Sequence, residues 1–371
     1  MVACALVGLA CWAGGCALQK PDIGIDSNYA LDMAKRKLVW KDASGPVDPF
    51  VLFARNGCRS MRIRLWVGED GTNQLAYATE TARRAQQAGL KPLLVLFLSE
   101  EWADFVKQPA PAVWKDLPVE KKAAAVEVYA EKVVRHMMES GVQVDTFAIG
   151  NEIDFGICGE FEPEWPHRVD LAWMQKQVWP RMVPILKAGQ AGVRKAQPNA
   201  KFIVHLAQWN NSAYCIAFWR AMEAAGVQID YLGLSYYPSS SEKALERSFS
   251  YLQGQVAGIA DALHKTVQIC ETGYPAAAEF GGQFSSWNHA ADGYPLTEAG
   301  QAQWIADLLA MARGDAHFAG VYYWSPEWYD GGLWDAFALF DAQGRARAGV
   351  RAFAAGIGKQ PGTQPAIQMQ Q

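Results

Sequence analysis

The stretch 146-TFAIGNEIDFGICGEF-161 runs an apolar segment of strand type straight into Asn151 and Glu152. A carboxylate at the inner end of such a run needs a partner or a task, because an unpaired buried charge is costly. A second stretch, 267-VQICE-271, ends the same way on Glu271. The fold must therefore explain two glutamates set flush with the ends of two apolar strands.

Short apolar runs alternate with longer helical patterns on either side of these segments. The pattern predicts strands at 22–25, 61–67, 92–99, 146–152, 201–207, 231–238, 266–271 and 320–325. Helices are expected at 76–88, 119–140, 171–196, 212–225, 242–264 and 297–313, and Gly89, Gly141 and Gly226 follow three of them, as C-terminal glycines often do. Eight strands alternating with helices, with no break in composition over residues 20–356, imply an α/β fold of the (β/α)8 TIM-barrel type in a single domain. An open doubly wound sheet would carry a Gly-rich phosphate loop after its first strand, and the sequence has none.

Barrel enzymes place their chemistry at the C-terminal ends of the strands. Those ends read Asp26; Arg64 and Trp66; Ser99 and Glu100; Asn151 and Glu152; His205 and Trp209; Tyr236 and Tyr237; Glu271; Trp324. The chain also carries 15 Trp, 13 Tyr and 16 Phe, enough to line a cleft for flat apolar faces such as sugar rings. Net charge is near −4 with both signs interspersed, which gives no footing for nucleic acid or for a polybasic membrane patch. Glu152 and Glu271 fall on the fourth and seventh strands. Glycoside hydrolysis needs such a pair, and a retaining enzyme holds the two carboxyl groups roughly 5–5.5 Å apart.

With these motifs in view, the chain resembles glycoside hydrolase family 53, the arabinogalactan endo-β-1,4-galactanases. The likeness rests on 62-RIRLW-66, 102-WAD-104, 149-IGNEI-153, 204-VHLA-207, 233-GLSYYP-238, 270-CETGYP-275, 294-YPLTEAGQ-301, 322-YYWSPEW-328 and 338-ALFDAQG-344. It implies a retaining hydrolase of β-1,4-galactan or arabinogalactan, with Glu152 as acid/base and Glu271 as nucleophile. Asn151 would bond the sugar 2-hydroxyl, and Arg64 would keep Glu271 ionised, with Arg62 as the alternative on the same strand parity. Tyr237 should point inward toward the nucleophile and Tyr236 outward, because Leu232 and Leu234 suit the helix-facing side. Trp324 would floor the site and Trp66 wall it. His205 reads either as a substrate contact or as a packed, hydrogen-bonded core histidine. No metal and no cofactor is implied.

The chain leaves the family pattern in three places, the first at its start, with 24-GIDSN-28 where the family has a G-A-D-x-S pattern. Where family members read close to D-F-H-Y-S-D-x-W-A-D, this chain has 95-VLFLSEEWAD-104, placing Val95, Phe97, Leu98 and Glu100 at polar family positions, a change that should alter sugar recognition. The acidic and aromatic stretch 154-DFGICGEFEPEWPHR-168 follows Glu152 and is expected to shape the leaving-group side. The calcium site of some members does not carry over, and Asp330 and Asp335 read as solvated loop charges. Other readings are the same retaining chemistry on another β-linked polysaccharide or galactoside, and a non-catalytic carbohydrate-binding barrel.

Residues 1–16, MVACALVGLACWAGGC, are small, apolar and uncharged, and read as a signal peptide whose Cys16 ends a lipobox-like A-G-G-C. Secretion or a lipid anchor at Cys16 is expected, with a monomer acting on polysaccharide or oligosaccharide. In such an oxidising setting Cys58, Cys158, Cys215 and Cys270 could form up to two disulfides. The barrel domain spans 17–356, and the Gln- and Pro-rich tail 357–371 is expected to be disordered.

Overall fold

The computed structural model describes residues 20–355; the leader, Cys16 and the tail 357–371 lie outside the described residues. Eight parallel strands close into a barrel: β1 (Asp22–Asp26), β2 (Ser60–Leu65), β3 (Lys91–Leu96), β4 (Thr146–Ile149), β5 (Lys201–Leu206), β6 (Tyr231–Tyr236), β7 (Val267–Thr272) and β8 (Phe318–Trp324). Each pairs with its neighbours in sequence and β8 returns to β1. All eight fall where the apolar runs put them.

A helix packs against the barrel after each strand: α1 (Pro49–Arg55), α2 (Leu75–Gln87), α3 (Val119–Glu139), α4 (Trp179–Ala196), α5 (Ser212–Ala224), α6 (Phe249–Leu263), α7 (Glu298–Gly314) and α8 (Gly349–Ala352), with shorter helices at Ala30–Lys35, Trp165–Arg168 and Leu171–Trp173 in the loops. The expected helix over 171–196 is interrupted. A π-helical turn at Met174–Val178 precedes α4, which begins with Pro180 in its first turn and contains Pro184. Proline lacks the amide hydrogen that regular helix spacing uses, so a wider turn gathers beside it. The helix expected over 242–264 splits at Ser248, whose hydroxyl caps α6 by accepting from the Tyr251 amide at 3.2 Å. The short α1, capped by Asp48 and opened by Pro49, and the four-residue α8 are too brief to show periodicity.

Strand alternation separates two apolar layers. On β3, Leu94 and Leu96 join the large core between barrel and helices, while Leu93 and Val95 point inward to meet Ala148, Ile203, Cys270 and Tyr322. The barrel is thus plugged by side chains below its mouth, and polar groups gather above the plug. The four described cysteines are buried and free, so neither of the disulfides that an oxidising setting would allow is formed among them. Cys270 fills the barrel interior, whereas Cys58, Cys158 and Cys215 pack in the outer layer. Asp330 and Asp335 are half-buried loop residues at the surface, where Asp330 pairs with Arg36 and Asp335 accepts from the Gly332 amide at 3.1 Å.

The outer layer is tightly filled around Trp304, which is fully buried and stacks on Tyr274 with ring centroids 4.9 Å apart. Trp304→Ala is expected to cost about 3–5 kcal/mol of unfolding free energy, read as a lowered denaturant midpoint at unchanged slope.

Candidate active site

β4 ends at Ile149, three residues earlier than the apolar run implied, and the chain then turns sharply. Gly150 adopts φ +83°, and a Cβ there would lie 2.4 Å from Ile153 Cγ2, so only glycine fits. Its amide donates to Leu96 O at 2.7 Å, which ties the turn to β3. Glu152 itself has φ 46°, a left-handed conformation that costs a non-glycine residue of order 1–3 kcal/mol. The surroundings enforce it. Gln108 Nε2 donates to Asn151 O at 2.8 Å and to Glu152 O at 3.3 Å, and the Ile153 amide donates to His205 O at 3.0 Å. The glutamate is therefore delivered to the mouth by a braced turn, not by the strand.

Arg62 organises the polar cluster. Its Nη1 donates to Asp26 and, at 2.7 Å, to Glu271 Oε1. Its Nη2 donates to Asn151 Oδ1 at 2.6 Å and to His205 Nδ1 at 3.1 Å. Strand parity left Arg62 and Arg64 equivalent, and the expectation that Arg64 holds Glu271 is corrected by this geometry: the direct partner is Arg62. Arg64 instead lies among the rings of Trp102 (4.7 Å to the centroid), Tyr29 (5.1 Å), Phe97 (5.7 Å) and Trp66 (5.8 Å). It contributes charge to the cluster without a hydrogen bond to either glutamate.

The two glutamates sit in different company. Glu271 accepts from Arg62 and from Tyr237 Oη, at 3.2 Å. Burial pushes its carboxyl up to about 7, against the pull of Arg62 and Arg64. Among the described residues, no cation bonds to Glu152. Burial is the main cause of its carboxyl rising well above the ordinary range, and the charges of Glu271 and Asp104 add to that rise. Of the pair, Glu271 ionises first and Glu152 keeps its proton longer.

The remaining expected residues fall into three groups. Asn151 is fully buried, accepting from Arg62 and donating through Nδ2 to Ala103 O at 3.0 Å, which leaves one amide hydrogen uncommitted. Tyr237 faces the mouth, whereas Tyr236 turns outward onto Trp209 and Trp304. Trp324 forms a floor, braced edge-on by Trp334 at 4.5 Å and by Trp102 at 5.8 Å. Trp66 is half-buried on the Arg64 side. His205 does not reach the mouth as a substrate contact would. It is 1% exposed, and both ring nitrogens are engaged by Arg62 and, at 2.9 Å, by Ser235. Burial and the neighbouring Arg62 charge hold it well below its usual pKa, hence neutral.

Sequence reading passed over several members of the site. Asp26 stood among the strand ends without a role, yet it shares Arg62 with Glu271. Ser235 was assigned only to a strand face, and its hydroxyl donates to Glu152 Oε1. Trp287 and Phe284 add a half-buried wall beside Tyr237 and Trp334, from a loop whose pattern carried no signal. The acidic residues of 154–168 are mostly consumed internally. Asp154 accepts from the Ala207 amide at 2.8 Å and the Gln208 amide at 3.0 Å, Glu160 pairs with Lys122 at 2.6 Å, and Glu162 accepts from Trp173 Nε1 at 2.6 Å.

Residues 23–353 match the model of Glycosyl hydrolase family 53. The chain is 28% identical over 339 residues to the arabinogalactan endo-beta-1,4-galactanase of Cellvibrio japonicus, covering 86% of each chain. It is 26% identical over 319 residues to the endo-beta-1,4-galactanase of Bacillus subtilis, covering 82% of this chain and 70% of that one. Among solved structures, a fungal beta-1,4-galactanase superposes with a TM-score of 0.76 at 24% identity, over 91% of this chain and 99% of the other. The chain belongs to glycosyl hydrolase family 53. It is a glycoside hydrolase built on a single (β/α)8 barrel.

Arg62→Lys keeps a charge but cannot serve all four partners, and it is expected to lower kcat/KM about a hundredfold. Its loss removes groups that pull Glu271 down, so the acid limb of the pH profile should move to higher pH. Arg64→Lys should cost at least tenfold less and leave that limb in place. Steady-state kinetics of both variants across pH make the comparison.

Proposed function

We propose that the protein is a retaining endo-β-1,4-galactanase acting on β-1,4-galactan or arabinogalactan, with Glu271 as nucleophile and Glu152 as acid/base. The observation that carries the assignment of roles is the unequal surroundings of the two carboxyls. Glu271, bonded to Arg62 and Tyr237, is the easier to ionise and suits attack on the anomeric carbon. Glu152, without a cation, retains a proton for the leaving oxygen and then serves as base for water. The uncommitted Asn151 amide hydrogen suits the sugar 2-hydroxyl, and Trp324 with Trp66 and Trp102 offers aromatic faces for the rings. Galactan as substrate is supported by family membership and by the galactanases among the relatives.

One observation favours a second reading, the same chemistry on another β-linked glycan. Val95 and Phe97 put apolar groups where family members present polar ones, and Phe97 packs against Trp102 with centroids 5.7 Å apart. A pocket without those donors discriminates less strictly among sugar hydroxyls. Reducing-end release from β-1,4-galactan, scored against a panel of other β-glycans, decides between the two. Galactan is expected to be the best substrate, with Glu271→Ala losing at least a thousandfold; a preference for a different glycan would give the second reading, and full activity in Glu271→Ala would remove both.

We further propose that the enzyme works outside the cytoplasm, either secreted free or anchored through Cys16. The uncharged leader and its A-G-G-C ending support this. Export with membrane fractionation should be lost to the soluble fraction in Cys16→Ser, and membrane association unchanged by that substitution would contradict the anchor.

A further inference from the structure

Through Ser235 the two halves of the catalytic apparatus touch by a continuous set of hydrogen bonds. His205 Nδ1 lies 3.1 Å from Arg62 Nη2 and 3.2 Å from Asn151 Oδ1. Arginine has only donors and Asn151 Oδ1 already accepts from Arg62 at 2.6 Å, so the shorter contact makes His205 Nδ1 an acceptor. The ring is neutral, and its single proton is therefore on Nε2, which donates to Ser235 Oγ at 2.9 Å. The Ser235 hydroxyl hydrogen then points to Glu152 Oε1. The opposite polarity would leave that buried hydrogen without an acceptor, since among the described residues Ser235 Oγ meets only His205 and Glu152. Glu152 Oε1 is consequently an acceptor whether or not the carboxyl is protonated, and the acidic proton sits on Oε2.

We propose that Ser235 is a positioning residue for acid catalysis: its hydroxyl, oriented by Arg62 through neutral His205, holds Oε1 so that Glu152 presents its proton from Oε2 to the departing glycosidic oxygen. The inference rests on the reading of Glu152 as acid and Glu271 as nucleophile given above. In the first step the Oε2–H bond breaks and its proton passes to the glycosidic oxygen. The electrons of the C1–O bond leave with that oxygen, and a Glu271 oxygen bonds to C1. The Arg62–His205–Ser235 chain moves no proton. It keeps the new carboxylate aimed for its return as base, and it ties the aim of the acid to the same arginine that holds the nucleophile.

The groups that face Glu152 fix the sign of the pH effect. Glu271 on β7, Asp104 in the loop after β3 and Asp154 in the loop after β4 all raise its pKa, while Tyr237, just past β6, is an uncharged neighbour. The Ser235 bond lowers it. Removing the hydroxyl should therefore move the alkaline limb upward even as catalysis weakens.

The test compares kcat/KM, which reports the first chemical step, on two substrates across pH. β-1,4-Galactan has a leaving group that needs a proton, and 2,4-dinitrophenyl β-galactobioside has one that does not. Ser235→Ala is expected to lose about tenfold or more on galactan and about twofold or less on the aryl glycoside, with the alkaline limb on galactan shifted upward. Ser235→Cys, similar in size with a weaker donor, should fall between wild type and Ala. Equal losses on both substrates in the Ala and Cys variants, with an unmoved alkaline limb, would overturn the proposal and leave Ser235 a packing residue. An active wild type with an unaffected Ala variant would overturn the relay alone. A wild type that hydrolyses neither substrate would overturn the galactanase reading, and the relay with it.

Discussion

The site depends on one buried cation. Arg62 is almost fully shielded from water, and its four terminal hydrogens go to Asp26, Glu271, Asn151 and His205. A guanidinium in such a setting is tolerable only because two carboxylates answer its charge and every Nη hydrogen has an acceptor. The same bonds have chemical consequences. They aim the nucleophile, fix the amide orientation of Asn151 so that one of its amide hydrogens is left for substrate, and set the tautomer of His205. Four strands, β1, β2, β5 and β7, and the turn after β4 thus converge on one side chain, and the barrel's closure is what lets them.

Around this centre the structure separates charge from apolar contact. Below it, Val95, Ala148, Ile203, Cys270 and Tyr322 plug the barrel. Above it, Trp324, Trp334, Trp102, Trp287 and Phe337 form a wall of rings in edge-on and stacked contact. Arg64 stands between the two, with its charge against aromatic faces instead of carboxylates. It adds a second positive charge near Asp26 and Glu271, which balances two cations against two acids while the more deeply isolated Glu152 keeps its proton. Division of labour between two chemically identical glutamates follows from that distribution of neighbours.

Period-two alternation made the eight strands and their inward faces legible, and it correctly separated Tyr237 from Tyr236. It could not choose between Arg62 and Arg64, because residues two apart share a face and differ only in depth along the barrel axis. Depth is set by strand stagger, which no local pattern encodes. Glu152 looked like a strand terminus because it follows so closely on the apolar run that ends at Ile149, yet the left-handed turn at Gly150 and Glu152 is imposed by Gln108, His205 and Leu96 from elsewhere in the chain. Ser235 and Asp26 carried no signal beyond their positions, since a hydroxyl or carboxylate acquires a role only from what it meets. The partners of the acidic stretch after Glu152 were hidden for the same reason: Glu160 meets Lys122, Glu162 meets Trp173, and Asp154 meets the backbone after β5.

The account stands on Glu271 being the group that Arg62 prepares for attack. A 2-deoxy-2-fluoro β-galactosyl substrate with a dinitrophenolate leaving group slows the second step, so the covalent intermediate accumulates and can be mapped by peptide mass spectrometry. The label is expected on the peptide containing Glu271 and absent in Glu271→Gln. A label on Glu152 or Asp26, or hydrolysis with inversion and no label at all, would contradict it.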